Sequence, residues 1–62
     1  MNIEALYLTI REDTSKYMEL VELVGKEHPM ARKLCTRICG MQYAFKIVSG
    51  MSYTDYLLSK LS

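Results

Sequence analysis

The sequence has 62 residues, which is enough for one small domain and too short for two. Half of the residues are hydrophobic, which excludes a disordered polar tail, and two cysteines are too few for a disulfide scaffold. The net charge of +1 is far from the strongly basic balance typical of nucleic-acid-binding domains. Because a domain of this size buries only about 60% of its unfolded surface, we expect a second copy or a larger partner to complete the core.

A five-residue hinge from Gly25 to Pro29 separates two amphipathic segments of nearly equal length. Glycine readily takes the left-handed conformation that ends a helix, and proline fits the first turn of the next one. Residues 1–25 carry two basic and five acidic side chains, a net charge of −3, whereas residues 26–50 carry five basic and one acidic, a net charge of +4. The pattern predicts an antiparallel helical hairpin whose two helices have opposite charge.

The first predicted helix covers residues 3–24, with Asn2 as its N-cap. At 100° per residue its apolar stripe falls on one side. The stripe consists of Ile3, Leu6, Ile10, Tyr17, Leu20 and Val24, widened by Tyr7, Met18 and Val21. Residues 13–15 are weak helix formers, so a bend is expected there. Residues 6–10 are rich in strand formers, but a helix is favoured because no other segment could pair with a strand.

The second predicted helix covers residues 29–49 and has two contact faces. The face expected to meet the first helix carries Met30, Leu34, Ile38, Met41, Phe45 and Val48. The other face carries the small residues Thr36, Gly40 and Ala44, flanked by Tyr43 and Ile47. A glycine inside a helix costs about 1 kcal/mol relative to alanine, so Gly40 indicates close approach by another backbone. We expect that backbone to belong to the third helix or to a second subunit.

A short third helix is predicted over residues 53–61. Ser52 to Asp55 has the spacing of a capping box, with aspartate in place of the usual glutamate. Three leucines follow, Leu57, Leu58 and Leu61, and they need cover from the first two helices or from another chain. The predicted fold is therefore all-α, a single domain over 1–62 with a hairpin and a short C-terminal helix, dimerising into a helical bundle.

Cys35 and Cys39 lie four residues apart on one side of the second helix. Their Cβ atoms are expected about 5–6 Å apart, which exceeds the roughly 3.5–4.5 Å of a disulfide. A tetrahedral zinc site would need two cysteines from each of two chains. Small semi-buried packing residues are the favoured interpretation, and we expect no bound metal.

The single histidine, His28, lies in the hinge just before Pro29. A catalytic histidine needs an orienting partner and a substrate pocket, and a helical hairpin of this size offers little concave volume. We expect His28 to be a solvated turn residue that caps the second helix. The sequence also lacks a nucleophile arrangement or a phosphate-binding glycine loop, so we expect neither enzymatic activity nor a cofactor.

The run from Ser49 to Ser62 reads Ser-Gly-Met-Ser-Tyr-Thr-Asp-Tyr-Leu-Leu-Ser-Lys-Leu-Ser. It resembles the turn and first helix of the helix-turn-helix in sigma-factor region 4 and related phage regulators. In that family the run reads roughly Gly-Leu-Ser-Tyr-x-Glu-Ile-Ala-x-x-Leu-x-x-Ser, and a recognition helix follows. Here Tyr56 and Leu57 replace the usual Ile-Ala, and the sequence ends before a recognition helix. The resemblance covers about a fifth of the chain and implies no DNA-reading role.

The sequence favours a small, non-enzymatic helical interaction protein, a regulator, inhibitor or adaptor that acts as a homodimer or with a larger protein partner. The surfaces expected to bind that partner are formed by Tyr43, Gly40, Ala44, Ile47, Tyr53, Tyr56 and Leu58. Tyrosines are included because their rings are enriched in interfaces. A cytoplasmic location is expected, because the N-terminus lacks a signal-peptide pattern and no apolar run approaches the roughly 20 residues of a membrane span.

The alternative is a small nucleic-acid-binding regulator that uses the basic surface of the second helix. Its phosphate-binding residues would be Lys26, Arg32, Lys33 and Arg37, although Arg32 projects away from Lys33 and Arg37. A solvated face that complements the acidic first helix is the favoured interpretation of these charges. Strong salt dependence of binding would distinguish phosphate contacts from that interpretation.

Overall fold

The computed structural model describes residues 2–61, which form three helices: α1 (Ile3–Val24), α2 (Pro29–Ser49) and α3 (Tyr53–Leu61). The all-α prediction is confirmed, and the helix bounds coincide with the predicted ranges. The strand considered for residues 6–10 is wrong, because these residues lie within α1. Within the described range, no helix has both the length and the apolar character to cross a bilayer. Ser62, the last residue of the helix-turn-helix-like run, lies outside the described residues.

Polar side chains cap each helix at its beginning, as predicted. Asn2 Oδ1 accepts hydrogen bonds from two backbone N–H groups in the first turn of α1, at 3.0 and 3.3 Å. His28 Nδ1 accepts one from the first turn of α2 at 3.1 Å, next to Pro29. Ser52 Oγ accepts one from the first turn of α3 at 3.1 Å. Each bond satisfies an N–H group that has no partner inside its own helix, so local sequence determines where the helices begin.

The two hinges leave their helices through glycines with positive φ. Gly50 has φ 75° and ψ 8°, the left-handed conformation, and its N–H donates to the carbonyl of Lys46 at 2.9 Å. Gly25 has φ 85° but ψ 157°, so it ends α1 in a more extended conformation than the left-handed cap that was expected. Both conformations are costly for residues with a Cβ atom, so glycine is required at the two ends.

α1 and α2 pack as an antiparallel pair. Tyr7 and Phe45 share one buried cluster, and further along the hairpin Asp13 pairs with Arg37. Residue numbers thus rise along α1 while their partners' numbers fall along α2, which is the arrangement that the short hinge imposes. Ile10 and Phe45 are the largest fully buried side chains in the described part of the chain.

Two predicted core positions on α2 are wrong, and one of them is Val48, which is 44% exposed. Met30 was expected to face α1, but it is 62% exposed, and the neighbouring Ala31 is fully buried instead. Ala31, Ile38 and Phe45 are spaced seven residues apart, a step that returns almost to the same side of a helix. The small alanine near the hinge lets the two helices lie close together, whereas the longer methionine is displaced to the surface.

α3 packs across the open end of the hairpin, remote from the hinge. The rings of Tyr53 and Tyr56 join Tyr7 and Phe45, with centroids 5.0–6.1 Å apart in tilted or edge-to-face arrangements. α3 therefore covers the core cluster of its own chain and leaves the small-residue face of α2 open. A Cβ atom at Gly40 would meet nothing within 4 Å, so no described segment makes the close approach that was expected there. Aromatic burial at the end of the hairpin decides where α3 docks.

Candidate interaction surfaces

The outer face of α2, defined as Thr36, Gly40, Tyr43, Ala44 and Ile47, is the largest predicted surface that stays open. Tyr43 is 69% exposed and Ile47 is 66% exposed. On the same face Gly40, three residues before Tyr43, is exposed and Ala44 is half-buried, so bare backbone lies beside the two large apolar groups. The hydroxyl of Thr36 donates to the carbonyl of Arg32 within the same helix, at 3.1 Å. This face can therefore accept another helix at short distance without leaving the Thr36 hydroxyl unsatisfied.

The structure divides the predicted partner-binding residues into two groups. Tyr43, Gly40, Ala44 and Ile47 lie together on the outer face of α2, whereas Tyr53 and Tyr56 belong to the intrachain aromatic cluster. Burial raises the pKa of Tyr53, and its neighbour Tyr7 adds to that shift. Leu58 of α3 is 56% exposed. The two tyrosines of α3 thus contribute to folding rather than to an open surface.

A polar latch, formed by Glu4, Tyr56 and Lys60, holds α3 against the start of α1. Lys60 Nζ donates to both carboxylate oxygens of Glu4, and the Tyr56 hydroxyl donates to one of them at 2.9 Å. The hydrogen bond from Lys60 is the main cause that lowers the pKa of Glu4, and the hydrogen bond from Tyr56 lowers it further. The same bonds to Glu4 raise the pKa of Lys60 and of Tyr56. Lys60 also lies 5.3 Å from the ring centroids of Tyr7 and Tyr56, within cation–π range.

The hinge-end groove, defined as Leu20, Met30, Lys33, Leu34 and Arg37, is a cavity of about 380 Å³ between α1 and α2. Its floor is apolar and its two polar residues are both cations. A larger hollow of about 720 Å³ is lined only by outward-facing residues of α1. That hollow is poorly suited to a ligand, because a single helix supplies no opposing wall to enclose one.

The structure does not bring the four predicted phosphate-binding residues together. Lys33 and Arg37 line the hinge-end groove, whereas Arg32 and Lys26 are exposed outside it. Arg37 is also engaged with an acidic residue of its own chain, since its Nε lies 3.2 Å from Asp13 Oδ2. That pairing offsets part of the positive charge on which a phosphate site would depend.

The ion pair between Asp13 and Arg37 was not predicted from the sequence. Asp13 is only 6% exposed, and its Oδ2 contacts Arg37 as an ion pair without the alignment of a hydrogen bond. A gap in the apolar stripe of α1, which steps by seven residues from Ile10 to Tyr17, is the sequence feature that could have indicated this pair. Asp13 fills the position halfway along that step, where a 3-4 repeat would place an apolar side chain. Such an inserted charge indicates a partner on the facing basic helix.

The two cysteines are free thiols beside Tyr17. Cys35 is half-buried and Cys39 is exposed. Interaction with Cys35 raises the pKa of Cys39, which favours the protonated, less reactive thiol. Burial raises the pKa of Tyr17, and Cys35 adds to that shift. Among residues 2–61, no three histidine, cysteine, aspartate or glutamate side chains are grouped as a metal site requires.

Among residues 2–61, the outer face of α2 and the hinge-end groove are thus the two open surfaces whose chemistry suits a partner. Comparison with protein-family models, with curated proteins and with solved structures gave no match to this chain. Its function must therefore be inferred from the chemistry of its own surfaces.

Proposed function

We propose that this chain is a small, non-enzymatic helical interaction module of the cytosol, acting as a homodimer through the outer face of α2. A role as a regulator, inhibitor or adaptor is consistent with its size. The observation that carries the proposal is the exposure of Tyr43 and Ile47 on the same face of α2 as Gly40, whose Cβ position is open. Single exposed apolar residues are normal, but two large ones next to bare backbone provide a surface for close helix packing.

The total exposed surface supports a role in association. The chain exposes 4691 Å², compared with about 4,100 Å² for a typical compact monomer of 7.2 kDa. Fully burying an exposed large apolar side chain contributes about 1.5–3 kcal/mol. Because Tyr43 and Ile47 are 69% and 66% exposed, these residues from two chains would contribute about 4–8 kcal/mol. Association costs about 4–15 kcal/mol in lost freedom, so these side chains alone would give at best a weak dimer. Close contact across Gly40 would supply the additional buried area.

A two-fold axis near Gly40 would pair the same patch on both chains. Such an isologous contact needs a surface that complements itself: the bare backbone at Gly40 of one chain would lie against Tyr43 and Ile47 of the other, and the symmetry repeats that contact in the opposite sense. α3 lies over Tyr7 and Phe45, so within the described residues it does not obstruct this approach. Two hairpins joined in this way would place four long helices in one bundle.

Molar mass in solution, measured by light scattering, tests the proposal. We expect twice the 7.2 kDa of one chain for the wild type and one chain mass for Ile47→Lys and for Gly40→Leu. Met18→Lys is the matched control, because Met18 is 63% exposed on α1, away from the proposed interface, and the mass should stay dimeric. Circular dichroism of each variant establishes that the helices are retained. A wild-type monomer up to millimolar concentration would contradict the homodimer.

A further inference from the structure

We propose that the hinge-end groove binds an acidic amphipathic segment of a partner protein, one that carries a carboxylate within a helical turn of a large apolar side chain. This surface is separate from the outer face of α2, so the inference goes beyond the proposed dimer. It rests on three features of the groove: an apolar floor, two cations at its edge, and an ion pair that holds one of them beside the groove.

The floor of the groove fits an apolar side chain. Leu20 from α1 and Leu34 from α2 form its two sides, and Met30 is exposed at the hinge. The cavity of about 380 Å³ is at the small end of the roughly 300–1,000 Å³ of ligand pockets, so it suits a side chain or two better than a cofactor. Methionine adapts to varied partners because its side chain is unbranched and polarisable.

The edge of the groove suits a carboxylate. Lys33 and Arg37 are its polar residues, and both are cations. Asp13 contacts Arg37 through Nε, and within residues 2–61 the two terminal nitrogens of that guanidinium have no hydrogen-bond partner. Because Asp13 is buried, it anchors the guanidinium and leaves the donors suited to bidentate carboxylate binding available. An arginine that is already oriented loses less entropy when it binds.

A protein segment fits this chemistry better than a nucleic acid. A phosphate backbone would gain nothing from the three apolar side chains of the floor, whereas an acidic helix would use both the floor and the cations. Arg32 lies outside the groove, so the basic residues of α2 do not continue it as a phosphate track. A basic partner would be repelled by the same two cations.

Selection from displayed peptides of about 16 residues, roughly four helical turns, tests the proposal without knowing the partner. Peptides retained by the full chain are then passed over the immobilised Lys33→Glu variant, and those that bind this variant are removed. We expect the enriched peptides to share an aspartate or glutamate within three or four residues of a large apolar residue. A synthetic peptide of that sequence, followed by fluorescence anisotropy, should bind Lys33→Glu at least about tenfold more weakly than wild type.

Arg32→Glu is the matched control. It changes the charge by the same amount at the next residue of the same helix, also at an exposed position, but outside the groove. Binding of the selected peptide should stay near the wild-type value in this variant. The Lys33→Glu variant should also keep the oligomeric mass of the wild type, so failure of this proposal is distinguishable from failure of the dimer.

Three results would overturn the proposal. The first is the absence of peptides that prefer wild type over Lys33→Glu, and the second is a shared sequence without carboxylates. The third is salt-sensitive binding of a short single-stranded RNA that Lys33→Glu and Arg32→Glu weaken equally, which would assign the basic residues to nucleic acid instead.

Discussion

Lys60, in the last turn of α3, donates hydrogen bonds to both carboxylate oxygens of Glu4, in the first turn of α1, at 2.9 and 2.8 Å. The two residues are 56 positions apart, so this contact joins the two ends of the chain. α3 has only nine residues, and an isolated helix of that length is marginal in water. Its helical state therefore depends on the latch and on the packing of its two tyrosine rings.

The first prediction is that Lys60→Gln loosens α3 without unfolding the hairpin. Both members of the ion pair are exposed, so global stability should change little. Hydrogen exchange of the α3 amides should nevertheless become faster, while exchange in α1 and α2 stays unchanged. The free energy of opening one helix depends on the contacts of that helix, and Lys60→Gln removes a contact of α3. Lys46→Gln removes an equivalent exposed charge from α2 and should leave α3 unchanged. Equal exchange in α3 of wild type and Lys60→Gln would show that the rings alone hold it.

The second prediction is that docking of α3 is strongest between the acidic and alkaline limits. Because the pKa of Glu4 is lowered on folding, its contribution is complete above its ordinary pKa and is lost as the pH falls through the lowered value. The pKa values of Lys60 and Tyr56 are raised, so their contribution is lost as the pH rises through those values. NMR shifts of the Tyr56 ring should follow both transitions, and Glu4→Gln should remove the acidic one. An acidic transition that persists in Glu4→Gln would assign it to another carboxyl group.

Helix positions could be predicted from the sequence because their causes are local. Asn2, His28 and Ser52 cap the helices that follow them, and the glycines at 25 and 50 end the first two. The docking site of α3 was not predictable in this way. Sequence spacing shows that its leucines and tyrosines need cover, but not which of several apolar surfaces buries the most area.

Candidate surfaces were only partly predictable for a related reason. Tyr43 and Ile47 were identified as exposed because they lie opposite the core stripe of α2, a property of one helix. The packing of Tyr53 was not predictable in this way, since it depends on Tyr7 and Phe45 in two other helices. The hinge-end groove likewise forms only when Leu20 of α1 faces Leu34 of α2. The exposed face of one helix can be predicted from its own sequence, whereas a surface formed between helices can be identified only once their packing is known.

The third prediction concerns the unequal consequences of removing either member of the pair between Asp13 and Arg37. Arg37→Gln leaves a buried carboxylate without a cation and should lower the free energy of unfolding by about 1–3 kcal/mol. Asp13→Leu should be neutral or stabilising, because the side chain of Arg37 is 64% exposed and can be solvated by water. Leucine also completes the apolar repeat of α1 at that position. Urea denaturation of both variants measures the difference, and equal destabilisation would indicate that the pair itself provides net stability.

The fourth prediction separates the two roles of Gly40, in the helix and in the proposed dimer. Gly40→Ala should stabilise the isolated chain by about 1 kcal/mol, because alanine is the better helix former and its Cβ would meet nothing within 4 Å. For a domain of this size, that gain corresponds to a rise in Tm of about 4–8 °C, which circular dichroism in dilute solution can measure.

Gly50→Ala is the matched control for this prediction. A Cβ atom there would also meet nothing within 4 Å, but its φ of 75° is unfavourable for alanine, so this variant should be less stable than wild type. Opposite signs at the two positions would show that backbone conformation alone distinguishes them within the chain. If Gly40 lies at a dimer contact, the stability gain of Gly40→Ala should shrink or reverse as protein concentration rises, because the added methyl group separates the paired helices. A gain that is independent of concentration in a dimeric protein would place the interface elsewhere.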